Sequence, residues 1–405
     1  MLISVLSHRH RERKECSTSL SDCLMTNHST VQDYLQFLRY SLSPDSQSVP
    51  SCAEQMDWMG LLQFAKKQSV VGVCWQGVKL MGKLETNRPS EDDVMDWMVE
   101  VSKIAKRNRK VNATAVKVVK DFQQKGFDAC VLKGQGNALI YPDPLSRTPG
   151  DIDIYVHSKA HGEDWANDEA SVRQIVGYCK GLDASARAVY HHIDIPAVDK
   201  VPVEVHYRPT WMNAPDHNRS LQTTLAKLLS KENGTKKVIL PEAAGQIVVP
   251  GFRFNVIFQL SHILNHLLHE GVGLRQLIDY YYLLRSHESN DDEKAWLNKK
   301  LKDCGLWHIS GAVSWMLTVE LGLPESCLVS SPNERYGKQL MREMIAGGNF
   351  GKYDDRLLSG VSRSKLVANL RRLVRDARMM VYYPSECIWE PWFRLWHWMW
   401  RKRHK

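Results

Sequence analysis

The stretch TPGDIDIYV, Thr148–Val156, places two aspartates, Asp151 and Asp153, one residue apart in an otherwise apolar run. The run reads as a β-strand. Side chains alternate across a strand, so both carboxylates point one way while Ile152 and Ile154 point the other. Two like charges side by side repel, and burial makes them costlier still. A chain that keeps them needs something to neutralise them.

A second strand supplies the neighbour. In VPVEVHYRP, 201–209, Glu204 and His206 share one face, while Val203, Val205 and Tyr207 share the other. It forms a hairpin with ARAVYHHIDIP, 186–196, across AVDK. Laid beside the Asp151–Asp153 strand, it brings three carboxylates together. Three such charges stay ionised only if divalent cations neutralise them, and hard oxygen ligands favour Mg²⁺ or Mn²⁺. Upstream, VLKGQGNALIY puts Gly134 and Gly136 between a strand, FDACVL, and a short helix. Backbone N–H groups in such a turn can hold phosphate oxygens. The pattern is not the dinucleotide G-x-G-x-x-G, because position 139 is Leu.

The flanks are helical. From 31 to 81 and again from Ser90, where Ser90 and Asp93 form a capping-box pattern, apolar residues recur at three- and four-residue steps. Asn108 and Asn112 suggest a break in the second helix, and Gly126 a C-terminal cap. A polar helix is expected over about 163–182, and helices again from about Arg253 onward. The expected fold is α+β: a polar, disordered lead-in over 1–30, a helical N-terminal region over 31–126, a small mixed sheet over 127–215, and a helical C-terminal region over 216–405.

The 405 residues carry 54 Lys and Arg against 45 Asp and Glu, a net charge of +9. That balance suits a phosphate-bearing ligand, with nucleic acid a less favoured partner, since the basic residues are dispersed. The nine cysteines, with no C-x-x-C spacing, predict reduced thiols in a cytoplasmic protein and argue against a disulfide scaffold or a Cys-rich zinc site. No apolar run has transmembrane length.

His262, His266 and His269 fall on one helix face without a zinc-protease signature, and are expected to line a cleft or bond backbone. His191, His192 and His206 are expected to be hydrogen-bonded structural residues. Arg275 and Asp279, four apart, are expected to pair along their helix. The tail IWEPWFRLWHWMWRKRHK predicts a last helix docking an aromatic stripe of Trp389, Trp392, Phe393, Trp396 and Trp400 on the body. Peripheral membrane contact through that tail is the alternative.

LKGQGNALIYPDPLSRTPGDIDIYV followed by VEVHYRP resembles the nucleotidyltransferase fold of the DNA polymerase β-like superfamily. It is most similar to a branch of uncharacterised bacterial nucleotidyltransferases with extra helices on both sides. The resemblance covers Ala129–Arg208 and extends more weakly into HLLHEGVGLRQLIDYYYLL and GGNFGKYDDR. Gln135 stands where the superfamily usually has Ser, and YPDPLSR is inserted before the aspartates. The resemblance implies transfer of a nucleoside monophosphate from an NTP to an unidentified acceptor, with release of pyrophosphate. Asp151, Asp153 and Glu204 would be the catalytic, Mg²⁺- or Mn²⁺-binding carboxylates. Lys133, Gly134, Gln135, Gly136 and Arg147 would bind the nucleotide phosphates. A catalytically inactive binding or regulatory protein on the same fold is the alternative.

Overall fold

The computed structural model describes residues 20–43, 48–81, 88–159, 168–230, 234–348 and 374–403. Residues 1–19 of the expected lead-in, the start of the expected 163–182 helix, and most of GGNFGKYDDR lie outside them. Helix α1, Leu20–Leu42, begins inside the stretch expected as lead-in, and α2 (Trp58–Gln68) and α3 (Val71–Met81) follow.

Helix α4 runs without interruption from Glu91 to Gln124. Ser90 caps it: its hydroxyl accepts from the Asp93 N–H, and the Asp93 carboxylate accepts from the Ser90 N–H. No break occurs at Asn108 or Asn112, contrary to expectation. Both are buried, and Asn108 donates to the Leu145 and Arg147 carbonyls at 2.8 Å each. A polar side chain that finds partners outside its own helix does not compete with the helix backbone.

The sheet has the order β1-β2-β4-β3. Strand β1 (Phe127–Leu132) is antiparallel to β2 (Ile152–Ser158), β2 is parallel to β4 (Val201–His206), and β3 (His192–Val198) closes the edge antiparallel to β4. The β3–β4 hairpin turns at Asp199 and Lys200, with φ of 50° and 62°, the left-handed pair of a two-residue turn that matches strand twist. Helix α5 is the short Gly134–Ala138 element after β1, and α6 (Glu169–Leu182) connects β2 to the β3–β4 hairpin.

Alternation along β2 and β4 sorts the side chains into two layers. Ile152, Ile154, Val203 and Val205 join Ala115, Val118 and Phe122 of α4 and Ile175 of α6 in one apolar core. Tyr155 faces the opposite side, into a larger core shared with the surrounding helices. That core unites both helical regions: Phe37, Leu61 and Val73 from α1–α3 sit with residues of α7 (Pro215–Ser230), α8 (Phe252–His269), α9 (Leu274–Arg285), α10 (Asp291–Asp303), α11 (Trp307–Trp315) and α12 (Glu334–Gly347). Gln68 of α2 ties them further, accepting from the Leu274 N–H and donating to the Met344 carbonyl, both at 3.0 Å.

The C-terminal region is not wholly helical. Strands β5 (Thr235–Ile239) and β6 (Gln246–Pro250) form a separate antiparallel hairpin. The alternating KKVIL and QIVVP runs around a Pro-Glu-Ala-Ala-Gly turn carry that signal. The hairpin presses Val249 against the start of α5, where a Cβ on Gly136 would lie 2.9 Å from Val249 Cγ1.

Candidate functional site

The parallel register of β2 and β4 sets Asp153 directly opposite Glu204. Asp151 precedes the first residue of β2. All three carboxylates line one cavity of about 360 Å³, roofed by α8 and the start of α9.

Two protein cations already meet Asp153. Lys133 Nζ lies 2.9 Å from its Oδ1, and His206 Nε2 lies 3.0 Å from the same oxygen. His206 Nε2 is also 3.3 Å from Glu204 Oε2, so one imidazole bridges two acids. Burial opposes the charge on His206, yet the bonds to Asp153 and Glu204 raise it to about 9. Burial likewise opposes the Asp153 charge, and Lys133 and His206 outweigh it, holding that carboxyl well below the usual range. Asp151 behaves oppositely. The adjacent Asp153 charge, then burial, push it up to about 6.

Lys133 is aimed by its backbone. It sits at the end of β1 with φ 50° and ψ −135°, a conformation costly for a residue with a Cβ, and Gly134 follows at φ 40°. The turn delivers the ammonium to Asp153. It also brings it 3.4 Å from His262 Nε2.

The remaining phosphate-binding candidates divide. Gly134 and Arg147 line the cavity. Arg147 nevertheless spends its guanidinium on Asp279, through Nε–Oδ1 and Nη2–Oδ2 contacts of 2.7 Å each. Arg275, the partner expected on the helix face, also acts on Asp279: against burial, its charge helps hold that carboxyl below the usual range, behind the larger effect of Arg147, and its Nη1 donates to the Thr148 carbonyl at 3.2 Å. Gln135 is buried and its amide donates to Asn112 and Asn108 of α4, outside the cavity wall. Gly136 faces Val249, and its N–H donates to the Lys133 carbonyl at 2.9 Å.

Histidines make up much of the wall. His191, His192, His206, His262, His266 and His269 all line the cavity. Burial pushes His191 and His262 well below their usual range, and His269 to about 4. These three are neutral near pH 7. Trp211 stacks on His191 at 4.2 Å. Lining residues to which the sequence gave no role include Trp211, Asn137 and Gln259. None sits in a recognisable motif, because the three elements carrying them meet only in the folded chain.

The donor set suits a divalent cation. Oxygens of Asp153 and Glu204, with a His206 nitrogen once that ring gives up its proton, all lie within 4.8 Å of one another. Asp151, whose charge is opposed by its neighbour, gains most from an added cation.

Among the described residues no helix is long and apolar enough to cross a membrane. No curated protein matches the chain. Among solved structures, an antigenic nucleotidyltransferase-like protein from Paracoccidioides brasiliensis is similar to 56% of this chain and 96% of its own, at 11% identity and a TM-score of 0.32. The family model described as uncharacterised nucleotidyltransferase matches residues 54–319, which include the whole four-stranded sheet and every residue lining the cavity. The chain therefore belongs to this family of uncharacterised nucleotidyltransferases.

Proposed function

We propose that the protein is a metal-dependent nucleotidyltransferase that moves a nucleoside monophosphate from an NTP to an acceptor and releases pyrophosphate. The observation that carries the proposal is the register of Asp153 against Glu204, with Asp151 at the same cavity and its carboxyl pushed up to about 6. An acid held above its ordinary value by a like charge is a site waiting for a cation.

Asp151, Asp153 and Glu204 would hold Mg²⁺ or Mn²⁺. Bound there, the metal would supply charge neutralisation for the triphosphate and a more acidic acceptor hydroxyl. Lys133 and Arg275 line the cavity with Gly134 and would receive the β- and γ-phosphates. Arg147 serves this site from the wall, through Asp279, by fixing the loop that leads into Asp151. Glu204 would take the acceptor proton. The acceleration comes mainly from positioning and charge neutralisation.

The test is NTP binding by calorimetry with and without Mg²⁺, for the wild type and for Asp151→Asn/Asp153→Asn. Metal-dependent binding lost in the double variant supports the proposal. A well-folded wild type that binds none of the four NTPs overturns it.

A further inference from the structure

The C-terminal helix, Pro384–Arg403, is docked by one face only. Its inner face carries both of its acids. Glu386 accepts from the Asn213 N–H at 2.6 Å and lies 2.9 Å from His217 Nδ1, and Glu390 is equally buried. Trp400 is buried and packs with Tyr190 and Tyr207, while His397 Nε2 accepts from the Tyr190 N–H at 3.0 Å. The aromatic stripe expected to dock is therefore split, because its residues span more than one face of the helix. Phe393 and Trp400 pack inward, Trp396 meets Tyr190 edge-on at 5.1 Å while its outer edge stays exposed, and Trp389 and Trp392 stay exposed.

The outer face is apolar and basic. Ile388, Trp392, Leu395 and Met399 follow i, i+4, i+7 and i+11 spacing, and each is exposed, Trp392 by 64%. Arg401, Lys402 and Arg403 end the helix, all exposed, and Lys402 Nζ sits 3.6 Å from the centroid of the Trp398 ring. With Glu386 and Glu390 turned inward, this helix presents no carboxylate outward.

We propose that this outer face rests on an anionic lipid surface. Its chemistry fits that partner on two counts. Apolar and indole side chains on one side of a helix gain by burial at the headgroup boundary, and a purely cationic charge set is attracted to anionic headgroups. A water-soluble protein partner has no comparable need for a face without acids. The inner face stacks Phe393 on Trp211, which stacks on His191 at the cavity wall. Lipid contact would thus lie two ring contacts from the site.

The experiment uses the full chain with phosphatidylcholine vesicles, with and without phosphatidylglycerol, followed by co-sedimentation and tryptophan emission. The wild type should sediment with the anionic vesicles, with a blue-shifted emission, and less so as salt rises. Trp392→Glu/Leu395→Glu should lower the bound fraction at least about tenfold while melting at the wild-type temperature. Arg401→Glu/Lys402→Glu/Arg403→Glu, at the exposed helix end, should abolish the preference for anionic lipid. The proposal is overturned if the wild type fails to bind anionic vesicles at low salt, or if the Trp392/Leu395 variant binds as the wild type does. It is equally overturned if the wild type is a dimer that the same substitutions dissociate and that binds no lipid, for then a second copy covers the face.

Discussion

Arg147 and Asp279, 132 residues apart in the chain, form a bidentate ion pair with both contacts at 2.7 Å and both side chains buried. Tyr141 donates to the same Asp279 Oδ1 at 2.6 Å. This pair fastens the loop before β2 to α9, and so fixes the approach to Asp151. Removing one partner of a buried pair strands the other. Asp279→Ala should cost about 3–5 kcal/mol in denaturant unfolding. The apolar double substitution Arg147→Met/Asp279→Leu should recover most of that loss. A single variant as stable as the wild type would contradict this role.

Gln135 bonds α5 to α4 through Asn108 and Asn112, and Asn108 in turn holds the Leu145 and Arg147 carbonyls. Gln135→Ser introduces the residue usual in the superfamily that the sequence resembles, yet leaves buried amide oxygens without their donor. It should destabilise the fold by about 1–3 kcal/mol. Because the side chain faces α4, NTP affinity should not improve. Tighter calorimetric binding by the variant would show that position 135 reaches the phosphates after all.

His206 is raised to about 9 from 6.5. Between these values the native state holds a proton that the unfolded state has released, so stability falls as pH rises. Its contribution is complete below about pH 6.5 and gone above about pH 9, a span worth on the order of 3 kcal/mol. With chelator present, the wild type should lose stability across this window. His206→Gln should show a flatter profile when both are unfolded in urea at pH 6, 7.5 and 9.5.

Asp151 is also raised, but by a like charge and by burial, where His206 is raised, against burial, by its acids. Its carboxyl is raised to about 6 from 3.8, so the native state resists its ionisation. Stability is lost as pH rises through this interval, and the penalty is full above about pH 6. Asp151→Asn should therefore stabilise the metal-free protein at pH 8 by roughly 1–3 kcal/mol and leave it unchanged at pH 3.5. It should also abolish any gain in melting temperature from Mn²⁺. A residue that weakens the empty fold and strengthens the loaded one is what a binding site requires.

The two strands and their facing were legible because alternation is a local property. Ile152 and Ile154 against Asp151 and Asp153, and Val203 and Val205 against Glu204 and His206, tell which face is apolar without knowledge of anything else. The capping box at Ser90 was readable for the same reason. The β5–β6 hairpin was equally local, and its two β-branched runs were there to be read. Asn108 and Asn112 misled, because a buried asparagine in a helix depends on acceptors supplied by a loop some 40 residues away.

Sequence alone thus determined the α+β class, the carboxylate face of the sheet and the glycine-bearing passage from strand to short helix at Gly134 beside it, since each follows from side-chain period or backbone tolerance within a few residues. Tertiary structure decided the rest. It brought Arg147 to Asp279, turned Gln135 away from the cavity, gathered six histidines at its wall and split the C-terminal aromatics between core and surface. Those outcomes depend on which distant groups arrive at hydrogen-bonding distance, and a linear pattern carries no measure of that.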